Sequence, residues 1–539
     1  PFSVLSFARD TVDRTRQFAL GGHWNAAPVT VSADLSHTKS FNHLYFSGPF
    51  FGGRVAQFAH ALSGRVPTTG VSGTDLLEPS NLAYTGLAYR TRPFAGDLTA
   101  ARLDVRWQLG DGLIESVSAG WRHARRRANN EPGLVFADAP LTGLTAADTP
   151  GRVSPMPYPH FLDGRGTHIG RFLVGDLDGA RDGQGLRDAF GVTQPIPEGA
   201  NPLTRWRVRE TSDALYGRVD FDAFDGALTG QAGLRLVRMH AATAGAQSVA
   251  GSGVVEPIAI DDRHTDALPS LELRYRPRPE WQLRAAASRT VTRVDFDRLS
   301  PSLSLVPNPV NPSLNQGSAG NPALEPVRSR NWDLALEAYP STGHAASLTL
   351  FWKQIDGFIA NLSQPEVHGG VLYQISRPYN SDAARVRGAE FSHQRFLDFL
   401  PGAWRGLGWQ LNYTHVDSRT FDRRANRDLP LQNLSRHSGN LILLHEHGAL
   451  STRVAYNRRS SFLSGVFSAA GVGIVEAHTR GYGWVDASLD WKVNPALTLT
   501  LEGANLTRTL RSSYQGAPTR PQHAIVNDRQ LALRLGVRL

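Results

Sequence analysis

Hydrophobic and polar positions alternate along much of this chain. Leu103, Val105, Trp107 and Leu109 are separated by Asp104, Arg106 and Gln108, so one face is apolar and the other polar. Successive side chains of a strand point to opposite faces, and this spacing predicts a two-faced strand. The pattern returns over 228–236, 407–414, 450–457, 497–501 and 531–539. Gly110-Asp111-Gly112, Arg276-Pro277-Arg278-Pro279 and Val493-Asn494-Pro495 punctuate the runs with turn chemistry. Other strand ends are joined by long polar segments, near 125–210, 293–328, 357–384, 458–481 and 506–528. Such loops are uncommon in compact soluble domains. Short turns at one end and long loops at the other are the asymmetry of an outer-membrane barrel.

The expected fold is therefore all-β, a transmembrane antiparallel β-barrel. About nineteen strands can be placed, among them 54–62, 82–91 and 101–109 as three separate strands. The connection 63–78 is then an unusually long turn. Single-chain bacterial barrels have an even strand number, so an odd count predicts missing strands. A soluble sandwich or propeller also alternates, but no propeller repeat is visible. In the barrel reading Leu103, Val105, Trp107, Leu497, Leu499 and Leu501 face lipid. Asp104, Arg106, Gln231, Arg235, Gln410, Asn412, Arg453, Thr498 and Thr500 face the lumen. Tryptophans and tyrosines near the strand ends, such as Trp24, Trp281, Tyr339 and Trp491, fit interfacial girdles.

Composition narrows the function. The 539 residues carry 57 basic and 48 acidic side chains, a net charge of +9, and no cysteine. Thiolate metal sites, cysteine catalysis and disulfides are excluded. Apart from the triplet Arg125-Arg126-Arg127 the arginines are scattered singly, which argues against nucleic acid as a partner. No run of about 18 apolar residues could form a membrane-spanning helix. No nucleophile elbow, zincin motif or phosphate loop is present, so neither an enzyme nor a cofactor or metal site is expected. His445-Glu446-His447 reads as a solvated turn and Asp261-Asp262-Arg263-His264 as a polar loop. The candidate ligand-binding residues lie in the longest loop: Arg125, Arg126, Arg127, Asn129 and Asn130 at its start, then Tyr158, His160, Phe161 and Trp206. Rings stack on sugars and guanidinium groups grip oxygen anions. Contact with lipopolysaccharide, or plain loop packing, is the competing explanation.

Three stretches resemble the barrel of TonB-dependent outer-membrane receptors. The first is Gly320-Asn321-Pro322-Ala323-Leu324-Glu325-Pro326, leading to Ser329, Asn331 and Asp333-Leu334-Ala335-Leu336-Glu337. In the family such a segment runs from an extracellular loop into a descending strand. The second is Val386-Arg387-Gly388-Ala389-Glu390 with Asn412-Tyr413-Thr414, and the third is Glu502-Gly503-Ala504-Asn505-Leu506-Thr507. Each also has a structural reading: the prolines enforce an extended approach, Gly388 marks a close backbone approach, and Asn505 is a turn former.

The resemblance implies an outer-membrane protein of a Gram-negative bacterium, monomeric and surrounded by lipid. It implies a receptor and active transporter for a scarce extracellular ligand of the oligosaccharide or iron–siderophore class. A plug domain and an inner-membrane energy-coupling complex are the implied partners. No plug or coupling motif is visible in 1–539, and the last strand ends on Leu539 rather than an aromatic residue. The expectation is a fragment carrying about 19 of 22 strands. A passive porin is the alternative, and an outer-membrane enzyme is disfavoured.

Overall fold

The computed structural model describes residues 2–62, 65–110, 112–131, 133–157, 169–197, 201–248, 254–306, 315–469 and 473–538. Seventeen long antiparallel strands among them follow one another in a single sheet. The first six are β1 (Ala8–Ala26), β2 (Val29–Gly53), β3 (Ala83–Gln108), β4 (Ile114–Asn130), β5 (Trp206–Ala223) and β6 (Leu228–Ser248). Then come β7 (Val255–Arg278), β8 (Trp281–Thr292), β9 (Val327–Ser341), β10 (His344–Asp356), β11 (Ala384–Phe396) and β12 (Leu407–Asp422). The last five are β13 (His437–His447), β14 (Leu450–Arg459), β15 (Tyr482–Asn494), β16 (Leu497–Ala504) and β17 (Gln530–Val537). Each pairs with its neighbours in chain order, the up-and-down topology of a barrel wall, and among the described residues no pairing joins β1 to β17.

Two of the nineteen expected strands are absorbed elsewhere. The expected strands 82–91 and 101–109 are one strand, β3, paired with β2 almost throughout. Gln57–Ala61 forms a separate two-stranded hairpin with Thr68–Ser72. That hairpin lies within the β2–β3 connection, so 63–78 is no turn. Every connection longer than about twenty residues then falls at one end of the sheet, and the other end carries only connections of about ten residues or fewer.

The pleat separates the faces as the alternation predicts. Leu103, Val105, Trp107 and Leu501 are exposed, although large and apolar. So are Phe18, Leu20, Leu215, Leu234, Leu334, Leu350, Leu443 and Leu533 on neighbouring strands. Such a belt suits hydrocarbon and not water. Between these positions Asp104 is buried, and Thr500 donates to Asp490 at 2.5 Å on the face opposite Leu501.

The packed apolar core joins the long-loop ends of β2 and β3 to the long connections. Phe51, Leu82, Tyr84, Leu87, Leu173 and Leu186 form its centre. The connection from β4 to β5 contributes two short helices, α1 (Leu177–Arg181) and α2 (Gly183–Ala189). Asp176 and Asp182 cap them by accepting from backbone N–H groups of the first turns. The buried Arg187 is satisfied by the carbonyls of Ala137, at 2.6 Å, and Gln194. Here protein alone must exclude water, so this is where side chains interdigitate.

The other long connections pair with each other. Leu303–Val306, Gln316–Ala319, Val371–Asn380 and Ile359–His368 build one small sheet from the β8–β9 and β10–β11 connections. Phe462–Ala469, Gly473–Thr479, Leu510–Gln515 and Pro521–Val526 build a second from the β14–β15 and β16–β17 connections. The Gly320-Asn321-Pro322 motif is a joint in the first. Asn321 donates to the Pro378 carbonyl at 3.0 Å, and Asn380 donates to the carbonyls of Glu325 and Gly357, each at 2.9 Å. Arg377 grips both Glu366 oxygens at 2.7 and 2.9 Å and the Gly320 carbonyl at 3.2 Å. These hydrogen bonds from Arg377 hold the Glu366 carboxyl below the ordinary carboxylate range.

Candidate functional site

Inward-facing polar residues of β2 to β7 converge on a cavity of about 710 Å³. Pairing places the Arg102 backbone opposite Asp34 and Arg122, and Tyr216 opposite Gly120 and Arg235. The Tyr216 hydroxyl donates to Asp104 at 2.7 Å. Arg102 forms an ion pair with the same carboxylate at 2.5 Å. The Arg235 guanidinium lies 5.9 Å from the Tyr216 ring centre. Four arginines, Arg102, Arg122, Arg218 and Arg235, line the cavity against two carboxylates, Asp34 and Asp104. Arg102 is neutralised by Asp104, and Arg218 by Asp220 at 2.9 Å. Arg122 and Arg235 form no ion pair among the described residues. The wall therefore presents two cationic donors without carboxylate partners, the arrangement that binds oxygen anions.

Toward the short turns the same polar face of the sheet continues. Arg106 donates to Ser116 at 3.2 Å, and Ser116 to Asp220 at 2.7 Å. Gln231 donates to Glu272 at 2.8 Å. Gln410, Asn412 and Arg453 lie on the face opposite the exposed Tyr413 and Val454, across from Gln394, Ser392 and Ser488 respectively.

The residues expected to open the long loop are placed differently. Arg125, Arg126, Arg127, Asn129 and Asn130 all belong to β4, the first four paired with both β3 and β5 and Asn130 with β5 alone. The pleat splits the triplet: Arg126 points inward, while Arg125, Arg127 and Asn129 share the outer face with Trp121. Above the lipid both faces of a strand can be polar, so the alternation that marks a strand lower down is silent there. Arg126 reaches Glu210 at 3.5 Å and lies 4.5 Å from the Phe296 ring centre. Glu210 is 2% exposed and also pairs with Arg293, which sequence reasoning did not single out. Asn130 donates to the Thr204 carbonyl at 3.0 Å, and buried Trp206 packs against Phe94. These inward groups thus join the wall to the base of the cap. Tyr158, His160 and Phe161 lie outside the described residues.

Asp261 to His264 likewise sit in β7 and not in a loop. Alternation sends Asp261 to His240 at 2.8 Å and Asp262 to His264 at 2.6 Å on opposite faces. His445 and His447 end β13, where the His445 ring is within 3.1 Å of the Ala403 carbonyl oxygen.

Comparisons with known proteins agree with this architecture. The ferric-catecholate import receptor Fiu from K12 E. coli, in its closed form, is similar with a TM-score of 0.59 at 13% identity, over 99% of this chain and 65% of that one. The unliganded ferric citrate transporter FecA is similar with a TM-score of 0.51 at 13% identity, over 99% of this chain and 78% of that one. The ferric yersiniabactin uptake receptor FyuA from Yersinia pestis gives a TM-score of 0.48 at 12% identity, over 94% of this chain and 61% of that one. The chain thus spans less than two thirds of the length of Fiu and of FyuA. No curated protein matches the sequence. The family model described as TonB dependent receptor-like, beta-barrel, matches residues 23–506. With nearly the whole wall inside that match, the chain belongs to the TonB-dependent receptor β-barrel family.

Proposed function

We propose that this chain forms the barrel of an outer-membrane receptor for the energy-coupled uptake of an anionic ligand, of the iron–chelate class. The carrying observation is the inward cavity in which Arg122 and Arg235 have no carboxylate partner among the described residues. A neutral oligosaccharide would be read mainly by stacked rings and amide groups. Here the cavity is lined by guanidinium groups, which suit carboxylate or catecholate oxygens. The named ligands of Fiu and FecA, a ferric catecholate and ferric citrate, are of this charge class and support the choice. In this reading Arg102, Arg122, Arg218 and Arg235 line the path. Asp104, Arg106, Gln231, Gln410, Asn412 and Arg453 contact the passing ligand or a plug domain. Arg125, Arg127 and Asn129, on the outer face, remain outside this path.

The test is growth-linked uptake in a strain deleted for the gene and complemented with the full-length protein. Ferric catecholates, ferric citrate and neutral maltooligosaccharides are supplied in turn. Uptake of an anionic chelate that stops when the inner-membrane proton gradient is collapsed supports the proposal. Uptake that survives collapse of the gradient points to a passive porin, and uptake of the neutral sugar alone refutes the ligand class.

A further inference from the structure

One row of residues crosses the outer face of five consecutive strands. Arg16 on β1 is the pairing partner of Lys39 on β2, and Lys39 of Asp97 on β3. Asp97 is the partner of Arg127 on β4, and Arg127 of Arg209 on β5. Side chains directly opposite in an antiparallel pair stand about 5 Å apart, and like charges there are destabilising. Arg16 with Lys39 and Arg127 with Arg209 are two such pairs in one row. The single carboxylate, Asp97, forms an ion pair with neither neighbour among the described residues. None of the four cations forms an ion pair or side-chain hydrogen bond there either, and the Arg127 Nε is buried without an acceptor.

The row faces outward. Stepping by two along the pleat, Arg16 is followed by the exposed Phe18 and Leu20, and Arg209 leads through Thr211 and Asp213 to the exposed Leu215. Its height is set by the strand. Arg16 lies ten residues from the end of β1 at Ala26, and a tilted strand needs about 9–11 residues to cross the hydrocarbon. On β1 the row therefore sits about one membrane thickness above the short-turn end, and on β4 and β5 the outward Arg125, His123, Thr211 and Asp213 extend the polar band from the row down to Trp121 and Leu215. Two further like-charged pairs, Arg289 with Arg330 and Arg385 with Arg419, stand on the outer face of β8–β9 and β11–β12.

We infer that this row is a docking surface for the phosphate groups of the outer leaflet's own lipid, a phosphorylated glycolipid lying against β1 to β5. The repulsion inside each pair needs an anion between the two cations. The apolar belt further toward the short turns, with Phe18, Leu20, Leu103, Trp121 and Leu215, supplies the surface for that lipid's acyl chains. A phosphate beside two guanidinium or ammonium groups makes charge-assisted hydrogen bonds to both. The outer residues of the Arg125–Arg127 triplet thus serve the membrane rather than the transported ligand, and the inference stands whether or not the ligand class proposed above holds.

The experiment uses the full-length protein in vesicles of neutral phosphatidylcholine, alone or with diphosphorylated lipid A, with dephosphorylated lipid A, or with matched inorganic phosphate. The midpoint of heat unfolding and lipid retained on native mass spectra are read for the wild type, the double variant Lys39→Gln/Arg127→Gln, and a turn-side control, Arg405→Gln. Two cations near a membrane surface should change lipid retention roughly thirtyfold. The expected result is a sign reversal. In neutral vesicles the double variant unfolds no earlier than wild type, because repulsion has been removed. With diphosphorylated lipid A the wild type and Arg405→Gln gain stability and retain lipid, and the double variant loses most of both. Equal gains in the double variant would overturn the inference. Equal protection of wild type by dephosphorylated lipid A, or by inorganic phosphate alone, would also overturn it.

Discussion

The Tyr216 hydroxyl donates to the Asp104 carboxylate at 2.7 Å by crossing an entire intervening strand. Gly120 of β4 lies between their two backbones as the pairing partner of both. A Cβ at Gly120 would stand 2.4 Å from the Tyr216 ring and 2.5 Å from the carboxylate. The aromatic ring covers the bare glycine backbone, and β3, β4 and β5 are tied together on the lumen face. The wall of the cationic cavity thus depends on a residue with no side chain.

Gly120→Ala should therefore displace Tyr216 and separate it from Asp104. The expected cost is about 1–3 kcal/mol, the range for a forced small-to-large change. Tyr216→Phe, which keeps the ring and removes the donor, should cost about 1 kcal/mol. Unfolding of the full-length protein in detergent, followed by its heat-dependent gel mobility, measures both. If Gly120→Ala is neutral, the ring does not lie where this packing requires.

The Gly320-Asn321-Pro322 joint should be equally intolerant. A Cβ on Gly320 would stand 2.0 Å from the Ser300 carbonyl oxygen, a backbone atom that cannot swing away. Gly320→Ala should loosen the small sheet built from the β8–β9 and β10–β11 connections and leave the wall intact. Hydrogen exchange should show faster exchange over Ile359–His368 and Val371–Asn380, with β9 and β10 unchanged. Loss of protection in β9 and β10 as well would mean that the motif supports the barrel and not the cap.

Glu366 makes that same sheet acid-sensitive. Its folded-state carboxyl titrates below the ordinary range because Arg377 grips the ionised form. A depressed carboxylate stabilises fully above its unfolded pKa, and that stability is lost as pH falls through the folded value. Proteolysis within 357–383 should accelerate as the pH is lowered below the ordinary carboxylate range. In Glu366→Gln the same segment should be susceptible already at neutral pH and show a weaker pH dependence. An unchanged pH profile in that variant would remove Glu366 as the cause.

The sequence carried the wall well because lipid makes one face of each strand apolar. Leu103, Val105 and Trp107 alternate with Asp104 and Arg106, and the structure separates them as that pattern requires. The signal fails where the lipid ends. Arg125 to Asn130 and Asp261 to His264 read as loop because both faces are polar at that height, yet they are paired strand. Long β3 reads as two strands because 91–100 carries Pro93, Gly96 and polar residues in place of alternation. Gln57–Ala61 reads as a barrel strand because a short hairpin alternates just as a wall strand does. The cap was least legible: the pairing of Gln316–Ala319 with Val371–Asn380 joins segments far apart in the chain, and no local pattern encodes such a partner. The cationic cavity was half legible. Arg235 and Asp104 were singled out as lumen residues, whereas Arg122 and Tyr216 emerge only once the register of four strands is known.

The central claim is that unpaired lumen arginines select an anionic ligand, and an equilibrium titration tests it most directly. Full-length protein and the double variant Arg122→Gln/Arg235→Gln are titrated with ferric catecholate, ferric citrate and a neutral maltooligosaccharide, with tryptophan fluorescence as the readout. Each lost charge-assisted contact weakens binding by roughly 1.5–3 kcal/mol, so the double variant should lose on the order of a hundredfold or more in affinity for the chelate it binds. Heat unfolding of the variant should match wild type, which would show that the wall is intact. Unchanged chelate affinity in a folded double variant, or tight binding of the neutral sugar alone by the wild type, would contradict the account.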